Sequence, residues 1–90
     1  MPSYLVETYL ARGRAGDRAA REGRARSAAA ELTQGGTRVR FDRSIHVPED
    51  EICFYLFDAA SSRDAVLAAQ RAGLDPVRVV EAVLSGKEKR

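Results

Sequence analysis

The run Ile52-Cys53-Phe54-Tyr55-Leu56-Phe57 contains no position from which a water-facing side could be built. A strand sends successive side chains to opposite faces, so a strand apolar at every position must be covered on both. The rest of the chain has to supply those two covers. With 90 residues there is room for one domain and one core, and any deep cleft must lie between sheet and helices or be shared with another chain.

The other elements follow from periodicity. Tyr4-Leu5-Val6-Glu7-Thr8-Tyr9 is rich in β-branched and aromatic residues and predicts a first, central strand over Ser3 to Leu10. Gly13 and Gly16 bracket a loop and Asp17 can cap. Ala25, Ala28, Ala29 and Leu32 then recur at helical spacing until Gly35-Gly36 ends the helix. Thr37 to Val47 alternates, predicting a half-exposed strand with Val39, Phe41, Ile45 and Val47 on one side and Arg38, Arg40, Asp42, Ser44 and His46 on the other. Pro48-Glu49-Asp50-Glu51 is an acidic turn into the all-apolar strand. Ser61-Ser62-Arg63-Asp64 starts a second helix with Ala65, Ala68, Ala69 and Ala72 on one face and Gly73 as its stop. Pro76 precedes a last strand over Val77 to Leu84, and Ser85 to Arg90 reads as a flexible charged tail beyond a single domain over 1–84.

The order strand–helix–strand–strand–helix–strand predicts an α+β, ferredoxin-like domain, a four-stranded antiparallel sheet with two helices on one face. Those helices supply only one of the two covers. Pairing two sheets face to face would supply the other, at roughly 25 cal/mol per Å² of apolar area buried, so the expected working form is a homodimer, a dimeric α/β barrel or sandwich.

Fifteen basic and thirteen acidic residues leave a formal charge of +2, which is no nucleic-acid signature. One cysteine, Cys53, allows no intrachain disulfide. No apolar run reaches membrane-spanning length and the first residues alternate like a strand, so a cytoplasmic location is expected.

Three stretches, Tyr4 to Glu7, Arg43 to Glu51 leading into Cys53 to Ala59, and Ala72 to Glu81, resemble a family of small bacterial ferredoxin-like proteins long catalogued as a domain of unknown function. One branch of that family is described as nickel-binding and nickel-responsive. The resemblance implies a dimer and, in the nickel branch, a transition-metal site for Ni²⁺. That branch carries a cysteine in the third strand and a histidine in the second helix; aligned through Gly73, those places hold Tyr55 and Ala68 here.

Candidate site residues are few. His46 is the only histidine, so a metal would need help from Glu7, Cys53 or a second subunit. Glu7 interrupts an apolar strand and must be paired, hydrogen-bonded or turned toward a cavity, an ion pair with Arg40 or Arg43 being the structural alternative. Glu81 is a similar, weaker case, and a buried Cys53 is ordinarily inert. The first expectation is a non-catalytic binding protein whose small ligand or metal meets Glu7, Tyr9, His46 and Tyr55, the metal ligands being Glu7, His46 and Cys53. The alternative is a cofactor-independent enzyme of the dimeric α/β-barrel kind, an oxygenase, isomerase or cyclase acting on an apolar molecule, in which His46, oriented by Asp42 or Glu7, or Glu7 itself moves a proton. Arg14, Arg18, Arg21 and Arg24 form a helical stripe that could draw phosphate or simply be solvated. Phe54, Tyr55 and Phe57 invite comparison with RNA-recognition sheets, but the basic-Gly-aromatic-Gly pattern of those domains is absent.

Overall fold

The computed structural model describes residues 1–85. It contains β1 (Ser3–Tyr9), α1 (Arg18–Gln34), β2 (Val39–Val47), β3 (Ile52–Ala59), α2 (Ser62–Arg71) and β4 (Arg78–Ala82), with short 3₁₀ turns over Arg12–Asp17 and Pro48–Asp50. The strands form one antiparallel sheet in the order β2-β3-β1-β4. This is the α+β ferredoxin-like arrangement, with β1 and β3, which carries the apolar run Ile52–Phe57, in the two central places. Apart from Ser85, the tail expected at the end of the chain lies outside the described residues.

Pairing register sorts the side chains into rows, because residues directly opposite on neighbouring strands share a face. On the helix-covered side the rows run Phe41–Phe57–Tyr4, Ser44–Tyr55–Val6–Val79 and His46–Cys53–Thr8. On the open side they run Arg43–Leu56–Leu5–Val80, Ile45–Phe54–Glu7–Arg78 and Val47–Ile52–Tyr9. One expectation is corrected here. Val39 and Phe41 do not share a side with Ile45 and Val47, because the register shifts between Phe41 and Arg43. The extra residue, Asp42, reverses the alternation for the rest of β2.

Both helices meet the sheet through alanine. Ala25, Ala28 and Ala29 of α1 and Ala65, Ala68 and Ala69 of α2, with Ala72 just beyond, are buried in one cluster with Tyr4, Val6, Phe41, Cys53, Tyr55 and Phe57. The absence of branching lets the helix backbones approach closely. Ser61 accepts a hydrogen bond from the Asp64 amide, capping α2 as expected. Asp17 makes no such cap on α1 and pairs with Arg14 at 2.8 Å instead. Each helix ends in a left-handed glycine, Gly36 at φ 104° and Gly73 at φ 71°. The amides that follow, Thr37 and Leu74, turn back to the carbonyls of Leu32 and Ala69 at 2.8 and 3.0 Å, which satisfies carbonyls the last helical turn leaves free.

Arginines tie the helices to the sheet and to each other. Arg24 Nε donates to the Ala72 carbonyl at 2.8 Å, Arg21 to the Tyr9 carbonyl at 3.1 Å and Arg18 to the Ser44 hydroxyl at 2.8 Å. Arg18, Arg21 and Arg24 of the expected phosphate-attracting or solvated stripe thus act as clamps, while Arg14 stays exposed and pairs with Asp17.

An enlarged side chain at the α2–sheet contact should overfill it. Ala68→Leu is expected to lower unfolding free energy by about 1–3 kcal/mol, read from urea denaturation, whereas the same change at exposed Ala30 should leave stability nearly unaltered.

Candidate functional site

The residues expected to line one site divide between the two faces of the sheet. Glu7 and Tyr9 lie on the open face; His46, Cys53 and Tyr55 lie on the helix-covered face. β3 makes the division unavoidable, since Phe54, opposite Glu7, and Cys53, opposite His46, are consecutive residues.

On the open face Glu7 pairs with Arg78 of β4 at 3.2 Å, not with Arg40 or Arg43. Its carboxylate side chain is 23% exposed. Around it stand Leu5, Phe54 and Ile52, half-buried, together with exposed Tyr9, Ile45 and Val80. At one end of the same face Asp58 is buried, accepting from the Ser3 hydroxyl at 2.8 Å and pairing with Arg40. These groups border an open groove of about 580 Å³ that also touches Arg38 and Glu81.

Beneath α1 the arrangement is polar and enclosed. Ser44 accepts from Arg18 and donates to Glu22. The Thr8 hydroxyl donates to the Cys53 carbonyl at 2.8 Å. Tyr55 and Cys53 are fully buried, yet the Tyr55 hydroxyl and His46 Nε2 have no hydrogen-bond partner among the described residues. Burial, and then the adjacent Cys53 thiol, push the Tyr55 hydroxyl well above the ordinary tyrosine value, against a smaller opposing pull from Arg21.

The implied metal does not fit these donors. Glu7 is separated by the sheet from His46 and Cys53, and the described residues hold no group of three or more His, Cys, Asp or Glu side chains able to hold a metal ion. Glu7 and His46 likewise cannot form one proton-transfer centre within a chain. Sequence reasoning missed Arg78, whose place opposite Glu7 depends on the β1–β4 register. It also missed Ser44 and Glu22 as members of the polar layer, since Ser44 faces inward only because of the bulge.

No family model matches the chain, and no curated protein does. Among solved structures, the chain is similar to SCO4226 from Streptomyces coelicolor A3(2), at a TM-score of 0.66 and 18% identity over 92% of this chain and 98% of that one. At that identity the likeness is one of fold. Among the described residues no helix is long and apolar enough to cross a membrane.

The raised Tyr55 value carries a pH dependence. As pH rises through 10.0, tyrosine's ordinary value, the unfolded chain releases this proton while the folded chain retains it. The unfolded state then binds fewer protons, so stability falls as pH rises further. Urea melts on the two sides of that pH should show the loss, and Tyr55→Phe should show a smaller one.

Proposed function

We propose that this protein is a small-ligand-binding homodimer in which the open face of the sheet forms the wall shared between two copies. The observation that carries the reading is the contrast on that face. Ile45, Phe54, Leu5, Ile52, Tyr9 and Val80 make it apolar, while Glu7 and Arg78 place a charge pair within it. Apolar area of this kind favours a second sheet as its cover, at roughly 25 cal/mol per Å².

A flat, dry pairing would strip water from Glu7 and Arg78, and desolvating an ion pair can cost more than its attraction returns. The cover that suits both features closes over the apolar rim and leaves a polar-centred hollow at Glu7. A ligand suited to that hollow has an apolar body and one donor or cationic group to meet the carboxylate. The donor geometry favours this small-molecule form over a nickel site. Glu7 and His46 stand on opposite faces of the sheet, so the enzymatic alternative loses the pairing of those two residues within one chain.

Sedimentation velocity at micromolar concentration tests the dimer. The wild-type chain is expected to sediment as a dimer and Ile45→Glu as a folded monomer with unchanged circular dichroism. A wild-type monomer would overturn the reading. Native mass spectrometry of the dimer, compared with Glu7→Gln, should show a small co-purifying mass reduced in the variant.

A further inference from the structure

The polar layer beneath α1 plays no part in the open face, and it contains two buried atoms with unmet hydrogen-bonding capacity, His46 Nε2 and the Tyr55 hydroxyl. Leaving a buried polar atom unsatisfied costs about 1–3 kcal/mol, and folded proteins seldom tolerate two together. Their positions are related. His46 lies opposite Cys53 and Ser44 opposite Tyr55, so His46 and Tyr55 are diagonal neighbours on one face, a spacing that aromatic side chains can span.

The direction of the Tyr55 side chain narrows the place further. Its hydroxyl feels both the Cys53 thiol and the Arg21 guanidinium, so it leans toward the His46–Cys53–Thr8 row. Arg21 is held at that end of the sheet by its bond to the Tyr9 carbonyl. Neither Cys53 nor Arg21 is aligned to satisfy the hydroxyl. A phenol, a thiol and a guanidinium that can only donate therefore meet at this end of the face, with the His46 imidazole on the adjoining row. Glu22, the carboxylate closest along α1, is already engaged by Ser44.

We propose that the space bounded by Tyr55, His46, Cys53 and Arg21 is an internal binding site for one small hydrogen-bond acceptor, a water molecule or a halide-sized anion. The Tyr55 hydroxyl donates to it, His46 Nε2 donates when that nitrogen carries the proton, and Arg21 provides a favourable field. The occupant joins α1 to β2 and β3 where the alanine contacts of the helix have given way to polar side chains.

A double-mutant cycle at neutral pH tests the site independently of the open face, with melting temperature as readout. Tyr55→Phe removes one oxygen and His46→Leu the ring nitrogens. With a shared occupant, each single variant melts a few degrees lower, and the double variant falls by clearly less than the sum. If Tyr55→Phe melts at or above wild type, or the two losses add, the proposal is overturned. Should Tyr55→Phe fail to fold, His46→Gln decides: a loss is expected, and an unchanged melting temperature overturns the site. Melts in sodium chloride and in sodium gluconate at equal ionic strength separate the two sources. A chloride-dependent rise that Tyr55→Phe abolishes identifies an anion, and equal melting in both salts with the coupling retained identifies water.

Discussion

The structure turns on β3 having two faces and no polar edge to spare. Placed at the centre of the sheet, it sends Cys53, Tyr55 and Phe57 under the helices and Ile52, Phe54 and Leu56 to the other side. Two short helices can cover only one of these sets. Of the other set Leu56 is buried within the chain while Ile52 and Phe54 stay half-buried, so the open face keeps apolar surface to which both central strands contribute. That imbalance, more than any single residue, relates this fold to an expected working form larger than one chain.

The helix side solves a different problem. Alanine contacts let α1 and α2 lie close to the sheet, but each methyl buries little area, and burial contributes only about 0.8 kcal/mol per methylene-sized group. Guanidinium groups add directional links that alanine lacks. Arg12 donates to the Glu49 carbonyl at 3.2 Å, and the Arg12 amide donates to Glu51 at 2.8 Å, so the segment before α1 is anchored to the turn between β2 and β3. Arg18, Arg21 and Arg24 repeat the device along the helix. A planar fork with several donors suits carbonyl and hydroxyl acceptors better than an ammonium would. The Arg-rich composition is then a feature of assembly within the chain, consistent with a net charge of only +2.

Much of this was legible beforehand, for reasons that can be named. The alanine faces of both helices were visible because 3.6-residue periodicity is local, and all of Ala25, Ala28, Ala29, Ala65, Ala68, Ala69 and Ala72 are buried as read. The central place of β1, and the need of β3 for cover on both faces, followed from their apolar runs. Nothing local revealed which residues would meet across strands. Glu7 was recognisable as a carboxylate needing a partner, but Arg78 lies 71 residues away and its role depends on register. Glu7 and Tyr9 part from His46 and Tyr55 for two reasons: the relative phase of β1 and β3 sets Tyr55 on the other face, and the shift between Phe41 and Arg43 turns His46 there as well.

The bulge at Asp42 shows how much one unpaired residue can decide. Had β2 kept strict alternation from Phe41, Asp42, Ser44 and His46 would have joined the open face, and Ile45 and Val47 would have packed beneath α1 as ordinary core. The helix side would then have received Arg43 along with Ile45 and Val47, and the open face would have gained an imidazole. The register shift does the reverse on both sides at once. It brings Ser44 and His46 inward to Tyr55, Arg18 and Glu22, creating a polar layer where hydrophobic side chains would have sufficed, and it turns Ile45 and Val47 outward, extending the apolar surface around Phe54 and Ile52. A bulge beside a polar layer is a recurrent means of re-aiming side chains. Here the inward and outward consequences are inseparable, so removing the extra residue would alter the sheet's open face and its interior chemistry together.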